Sequence, residues 1–177
     1  MSDMTHDDLV EAAARWARRR GWPIVVTELA SAYAMEEADV IAFATCRSLL
    51  IECKVSRADF LSDRTKPVRR NPKLGMGMHR AYFTVPGIIQ QFELPELWGL
   101  YEVDASGVSP VVPIHVGSGM SMDWHKMFHE RNWQGEMGVL SSVILRIGRG
   151  VEKPASIRAY TYKTKSRACV HITEATP

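Results

Sequence analysis

Apolar residues recur at helical spacing near the start of the chain. Leu9, Ala13, Trp16 and Ala17 form one stripe, Thr5 or Asp7 offers an N-cap and Gly21 a stop, so the pattern predicts an amphipathic helix over residues 5–20. Pro23 then releases the chain into IVVTELASAY, a strand candidate. Two short apolar runs follow at 40–44 and 49–55, with Thr45-Cys46-Arg47-Ser48 as the turn between them. SRADFLSD predicts a short helix, capped by Ser56 with Asp59 three residues on. TKPVRRNPKLGMGM, with its prolines, glycines and basic residues, predicts a mobile loop. HRAYFTVP and WGLYEVD read as further strands, ended by Pro86-Gly87 and by Ala105-Ser106-Gly107. Past the GSGMSMD loop, residues 122–131 predict a helix and 138–147 a buried one.

That order predicts an α/β fold in which helices flank a central mixed sheet. Residues 1–120 would form the core, 121–150 C-terminal helices packed on it, and 151–177, which lack a period, a tail expected to be poorly ordered. With 46% hydrophobic and 24% charged residues, the composition excludes a largely disordered chain. No apolar stretch approaches the ~20 residues of a membrane span. The amino terminus, MSDMTHDD, is acidic where a signal peptide is basic, so the expected compartment is the cytoplasm. Three cysteines with no CxxC pair disfavour a disulfide scaffold and a thiolate zinc site, and Cys53 reads as a core residue.

Charge is unevenly spread. Between Arg57 and Arg80, seven basic residues face only Asp59 and Asp63, a local excess suited to a polyanion. Just before this segment stands the densest chemistry. Asp39 opens one predicted strand and Glu52-Cys53-Lys54 closes the next. Because side chains alternate along a strand, Glu52 and Lys54 share a face and Cys53 takes the other. Two carboxylates and an ammonium then converge at one end of a hairpin, where a divalent cation and a phosphate would balance them. His125 and His129, four apart on a predicted helix, lack a third ligand and a Glu between them, so zinc is disfavoured there. The aromatics Tyr82, Phe83, Trp98 and Tyr101 are read as core.

Asp39, twelve intervening residues and Glu52-Cys53-Lys54 together resemble the PD-(D/E)XK nuclease superfamily, whose restriction-endonuclease-like core runs helix, three strands, helix, strand (αβββαβ). The continuations KVSRADFLSDR, AYFTVP and LPELWGLYEVD are similar to the MmcB-like DNA repair proteins and related phage-encoded nucleases, over about residues 5–105. Ala38 stands where the superfamily has its namesake proline. The resemblance implies a metal-dependent deoxyribonuclease, with Asp39, Glu52 and the Cys53 backbone carbonyl as ligands of Mg²⁺ (or Mn²⁺). Lys54 would orient or help deprotonate the attacking water and offset charge on the phosphate. Some members add a Glu from the first helix. Glu11 takes that place here, with an ion pair to Arg15 as its alternative role, and Glu28 competes for the same task. Arg57, Arg64, Lys66, Arg69, Arg70 and Lys73 are the expected contacts to the DNA backbone.

The implied activity is DNA phosphodiester hydrolysis in repair, recombination or phage DNA processing. The rival readings are a DNA-binding module of the same fold that cleaves little without a partner, and an assembly protein for which the basic segment is incidental. A homodimer or other DNA-processing proteins are the partners such a chain would take, and no membrane is expected.

Overall fold

The computed structural model describes residues 4–31, 34–114 and 128–148, and the backbone of 157–159. Helix α1 (His6–Arg19) begins where the sequence supplies a reciprocal cap. The Thr5 hydroxyl accepts the Asp8 N–H, and the Asp8 carboxylate accepts the Thr5 N–H. Gly21, at φ +83°, turns the chain out of the helix into β1 (Ile24–Thr27). Strands β2 (Val40–Ala44) and β3 (Arg47–Lys54) form an antiparallel hairpin whose turn is only Thr45-Cys46. β3 therefore starts two residues before the predicted boundary.

Helix α2 (Arg57–Asp63) follows, capped by the Ser56 hydroxyl, then the short helix α3 (Pro67–Arg70) and a 3-10 turn at Pro72–Leu74. Strands β4 (His79–Thr84), β5 (Trp98–Asp104) and β6 (Gly107–Val112), helix α4 (Trp133–Gly148) and strand β7 (Ile157–Ala159) complete the described chain. The sheet runs β6-β5-β4-β3-β2-β1-β7. β3, β4 and β5 are parallel neighbours and the remaining pairs antiparallel, so this is a mixed α/β sheet.

Both faces are covered. Leu49, Ile51, Cys53, Ala81 and Phe83 pack with Leu9, Ala13 and Ala17 of α1. Leu50, Tyr82 and Leu100 pack with Phe60 of α2 and with Val139 and Val143 of α4. The alternation expected for β3 holds: Cys53 lies in the α1-side core, and burial raises its thiol pKa well above the ordinary value. Among the described residues no helix is long and apolar enough to cross a membrane.

Four expectations need correction. The segment 65–77 is a packed structure rather than a mobile loop, because buried Arg80 ties it down by hydrogen bonds to the carbonyls of Pro72, Gly75, Met76 and Gly77. Helix α4 forms, but it is buried on one side only: Trp133, Met137, Ile144, Leu145 and Ile147 are exposed. Residues 128–131 are not helical, and the rest of the helix predicted at 122–131 lies outside the described residues, as does His125. Three residues of the supposed tail, 157–159, extend the sheet at β1.

Candidate functional site

The register Val40↔Ile51 carries the hairpin's open end to Asp39 and Glu52, beside the carboxyl ends of the parallel strands β3 and β4. That end of an open α/β sheet is where such folds gather ligands. Asp39 is fixed by the backbone of β3, since its Oδ2 accepts the Cys53 N–H at 2.6 Å. The Lys54 ammonium, only 5% exposed, lies 3.1 Å from Glu52, 3.8 Å from Asp63 and 3.9 Å from both Asp39 and Asp59. Only Val55 and Ser56 separate β3 from helix α2, whose Asp59 and Asp63, four apart, meet Lys54 from one helix face.

Arg69 supplies the second buried cation. Its guanidinium reaches Glu36 at 2.6 Å, Asp63 at 2.7 Å and Glu52 at 2.9 Å, and lies 5.0 Å over the Trp98 ring. Lys66 closes the solvent side, 2.8 Å from Asp63. The Tyr82 hydroxyl donates to Asp63 at 2.8 Å. Glu36, Asp39, Glu52, Asp59 and Asp63 thus face Lys54, Lys66 and Arg69, five carboxylates against three cations.

Burial and charge pull these groups apart in pKa. Burial pushes the Glu52 carboxyl up to about 7 even though Arg69 and Lys54 oppose it. Burial works equally against Lys54 and Arg69, but the surrounding carboxylates outweigh it and both are held above their ordinary values. Asp63 is likewise desolvated, yet the hydrogen bond and charge of Arg69 hold it well below the usual carboxylate range. The atoms around the Lys54 head are carboxylate oxygens, the donor type a hard divalent cation takes, and the buried Glu52 Oε1 has no aligned hydrogen bond even though Arg69 is near, though no three of Asp39, Glu52, Asp59 and Asp63 bring ligand atoms within 4.8 Å of one another.

The other expected residues scatter. Glu11 is not at this site: it is exposed and paired with Arg15 at 3.5 Å. Glu28 does come close, because its backbone N–H bonds the Asp39 carbonyl at 3.2 Å. What α1 contributes is His6, whose Nε2 is 3.5 Å from Asp39 Oδ1 and whose Nδ1 is 4.0 Å from Glu28. His6, Asp7 and Glu28 bring ligand atoms within 4.8 Å of one another at this exposed rim. His6 had no sequence signal beyond its place in the first turn of a capped helix.

The basic set is divided. Arg69 is not available to DNA, being 2% exposed and fully paired. Arg57 forks onto Glu93 and bonds the Ile88 carbonyl. Arg64, Lys66, Arg70 and Lys73 remain exposed, with Lys73 2.9 Å from Glu130.

The molecule is therefore an α/β protein with a buried carboxylate and cation cluster at the carboxyl ends of parallel strands. It is similar in structure to a protein of unknown function from Silicibacter pomeroyi, with a TM-score of 0.53 and 19% identity over 86% of this chain and 96% of that one. At that identity the likeness is one of fold. No family model and no curated protein matches the chain.

Proposed function

We propose that this chain is a metal-dependent nuclease that hydrolyses DNA phosphodiester bonds on a restriction-endonuclease-like core. The observation that carries the reading is the convergence of Asp39, Glu52 and Lys54 from two paired strands, with Lys54 Nζ within 3.9 Å of both carboxylates. The order of α1, three strands, α2 and a fourth strand agrees with it. Asp39, Glu52 and the Cys53 carbonyl would hold Mg²⁺ or Mn²⁺, which when bound supplies Lewis-acid activation of water and phosphate.

The chain's own groups divide the remaining work. Lys54 stays protonated at neutral pH, so it acts as a fixed positive charge for the developing phosphate oxyanion rather than as a base. Glu52, with its carboxyl raised to about 7 in the metal-free cluster, would have to give up its proton to hold the metal, so metal binding would strengthen as pH rises through that value. Arg64, Lys66 and Arg70 would hold the strand by its phosphates.

The test is cleavage of single-stranded, duplex and branched DNA with Mg²⁺ or Mn²⁺ by the wild type, Asp39→Ala and Lys54→Ala, each checked for folding by circular dichroism. Products should require metal, vanish with EDTA, and fall by about 10²–10³-fold or more in both variants. A folded wild type that yields no product overturns the reading. One observation favours the DNA-binding module instead: Lys54 and Arg69 already lie 3.1 Å and 2.9 Å from Glu52, where a metal would have to compete with them. That module would bind DNA in a salt-dependent way, keep binding in Lys54→Ala, and cleave in neither form.

A further inference from the structure

The solvent side of helix α4 carries no charge from Trp133 to Leu145. Over that span the one charged residue is Glu136, and it is buried, accepting hydrogen bonds from the Ser48 hydroxyl and the Gly77 N–H. Surface helices ordinarily turn charged and polar residues outward. Here the outward positions hold Trp133 (61% exposed), Met137 (53%), Ile144 (67%) and Leu145 (55%), with Gln134 and Ser141 beside them. Their helical spacing gathers them into one long apolar stripe. The exposed parts of these four side chains come to about 500 Å², at the upper end of what a monomer leaves open in one apolar patch.

The same helix presents both a ridge and a groove. Trp133 and Met137 stand between two clefts, one of about 690 Å³ lined by Gly138, Ser141, Ser142 and Leu145, the other of about 560 Å³ against Phe43 and Arg47 of the β2–β3 hairpin. Gly138, Ser141 and Ser142 lie one turn apart, and their small side chains leave the first cleft room for a bulky apolar group. That cleft also makes little demand for water, because the Ser142 hydroxyl donates to the Gly138 carbonyl at 2.9 Å within the helix. The ridge beside it consists of two bulky apolar side chains.

We propose that this face binds a second copy of the same chain, α4 antiparallel to α4, with the Trp133 and Met137 ridge of each copy seated in the other's cleft of Gly138, Ser141, Ser142 and Leu145. A two-fold contact requires a surface complementary to itself, and a ridge beside a groove on a single helix meets that requirement. Crossing near the middle of α4 brings position 137 of one copy against 141 of the other, and 133 against 145. Because the stripe is uncharged, two copies meet without like-charge repulsion. Together the two patches bury about 1,000 Å² of apolar side chain, the size at which a contact between two molecules becomes specific. A DNA strand would find no cation on this stripe to meet its phosphates. The pairing does not depend on the nuclease reading above.

The experiment is sedimentation velocity on the full chain over about a hundredfold range of concentration, with neither DNA nor metal present. The wild type should move toward twice the mass of one chain as concentration rises. Met137→Glu and Ser141→Lys both fall at exposed positions, and circular dichroism checks that each folds. Each should weaken the association by about 100-fold or more, since each brings two like charges to the two-fold axis. Mixed in equal amounts, the two variants should associate again, because position 137 of one copy then faces 141 of the other with opposite charge. A wild type that stays monomeric throughout overturns the proposal, whether the chain's own later residues or a different protein covers α4. A dimer that either variant leaves unchanged lies on another face and overturns it too, as does a mixture that fails to associate. None of these outcomes turns on cleavage, so the nuclease and the dimer stand or fall separately.

Discussion

Replacing Glu52 by Gln should make the protein less sensitive to alkaline pH. Glu52 has its carboxyl pKa raised from 4.5 to about 7 by burial, so the folded state holds its proton where the unfolded chain has released it. For an acid shifted upward, the stabilising contribution is complete below the unfolded value and is lost as pH rises through the folded one. The window is therefore about pH 4.5 to 7. At 1.36 kcal/mol per pKa unit this corresponds to about 3 kcal/mol in all, of which roughly 2–3 kcal/mol falls between pH 5 and pH 8. Its side chain is only 2% exposed, so solvent screens little of this. Urea denaturation of the wild type and Glu52→Gln at pH 5 and pH 8 reads it directly. The stability difference, variant minus wild type, should grow by that amount toward pH 8. Parallel pH profiles would refute the reasoning. Adding Mg²⁺ at pH 8 should recover part of the wild-type loss, because a cation bound to the ionised carboxylate favours the folded state by mass action.

Two further outcomes follow from buried groups that share partners. Arg69→Met leaves Glu36, Glu52 and Asp63 without their common cation and should cost about 3–5 kcal/mol in urea denaturation at neutral pH; a loss under 1 kcal/mol would mean that Lys54 and Lys66 suffice. Ser48→Ala removes a hydroxyl that donates to Glu136 at 2.6 Å and accepts the Met78 N–H at 2.9 Å. It should lower stability by about 1–3 kcal/mol in thermal unfolding, and an unchanged melting temperature would show that α4 is held to the sheet by other contacts.

The elements legible in the sequence were those whose signals are local. The stripe and cap of α1, the hairpin carrying Asp39, Glu52 and Lys54, and the Ser56 cap of α2 all rest on residues within a few positions of one another. What escaped depends on distant partners. Arg69 looked like a surface cation in a stretch of prolines and glycines, and nothing local reveals that Glu36, Glu52 and Asp63 enclose it. The order of 65–77 comes from Arg80, a residue of a later strand. Strand β6 carries Gly107 and Pro110, which argue against a strand, but it lies at the sheet's edge and the register shifts between Leu100 and Tyr101, where a proline is tolerated. Glu11 was placed by its helix alone; α1 turns His6 rather than Glu11 toward Asp39.

The hairpin turn at Thr45-Cys46, where Cys46 adopts φ +60°, sets a limit on length variation. One residue inserted there would invert the parity of β3, carrying Glu52 and Lys54 into the apolar layer beneath α1 and Cys53 toward Asp63 and Arg69. Two would restore the face but slide both charges about 7 Å along the strand, out of reach of the partners that neutralise them. The β5–β6 turn at Ala105-Ser106 joins strands that carry none of these groups and is free to grow or shrink. Proteins that share this site are therefore expected to differ in length at the second turn and to agree at the first.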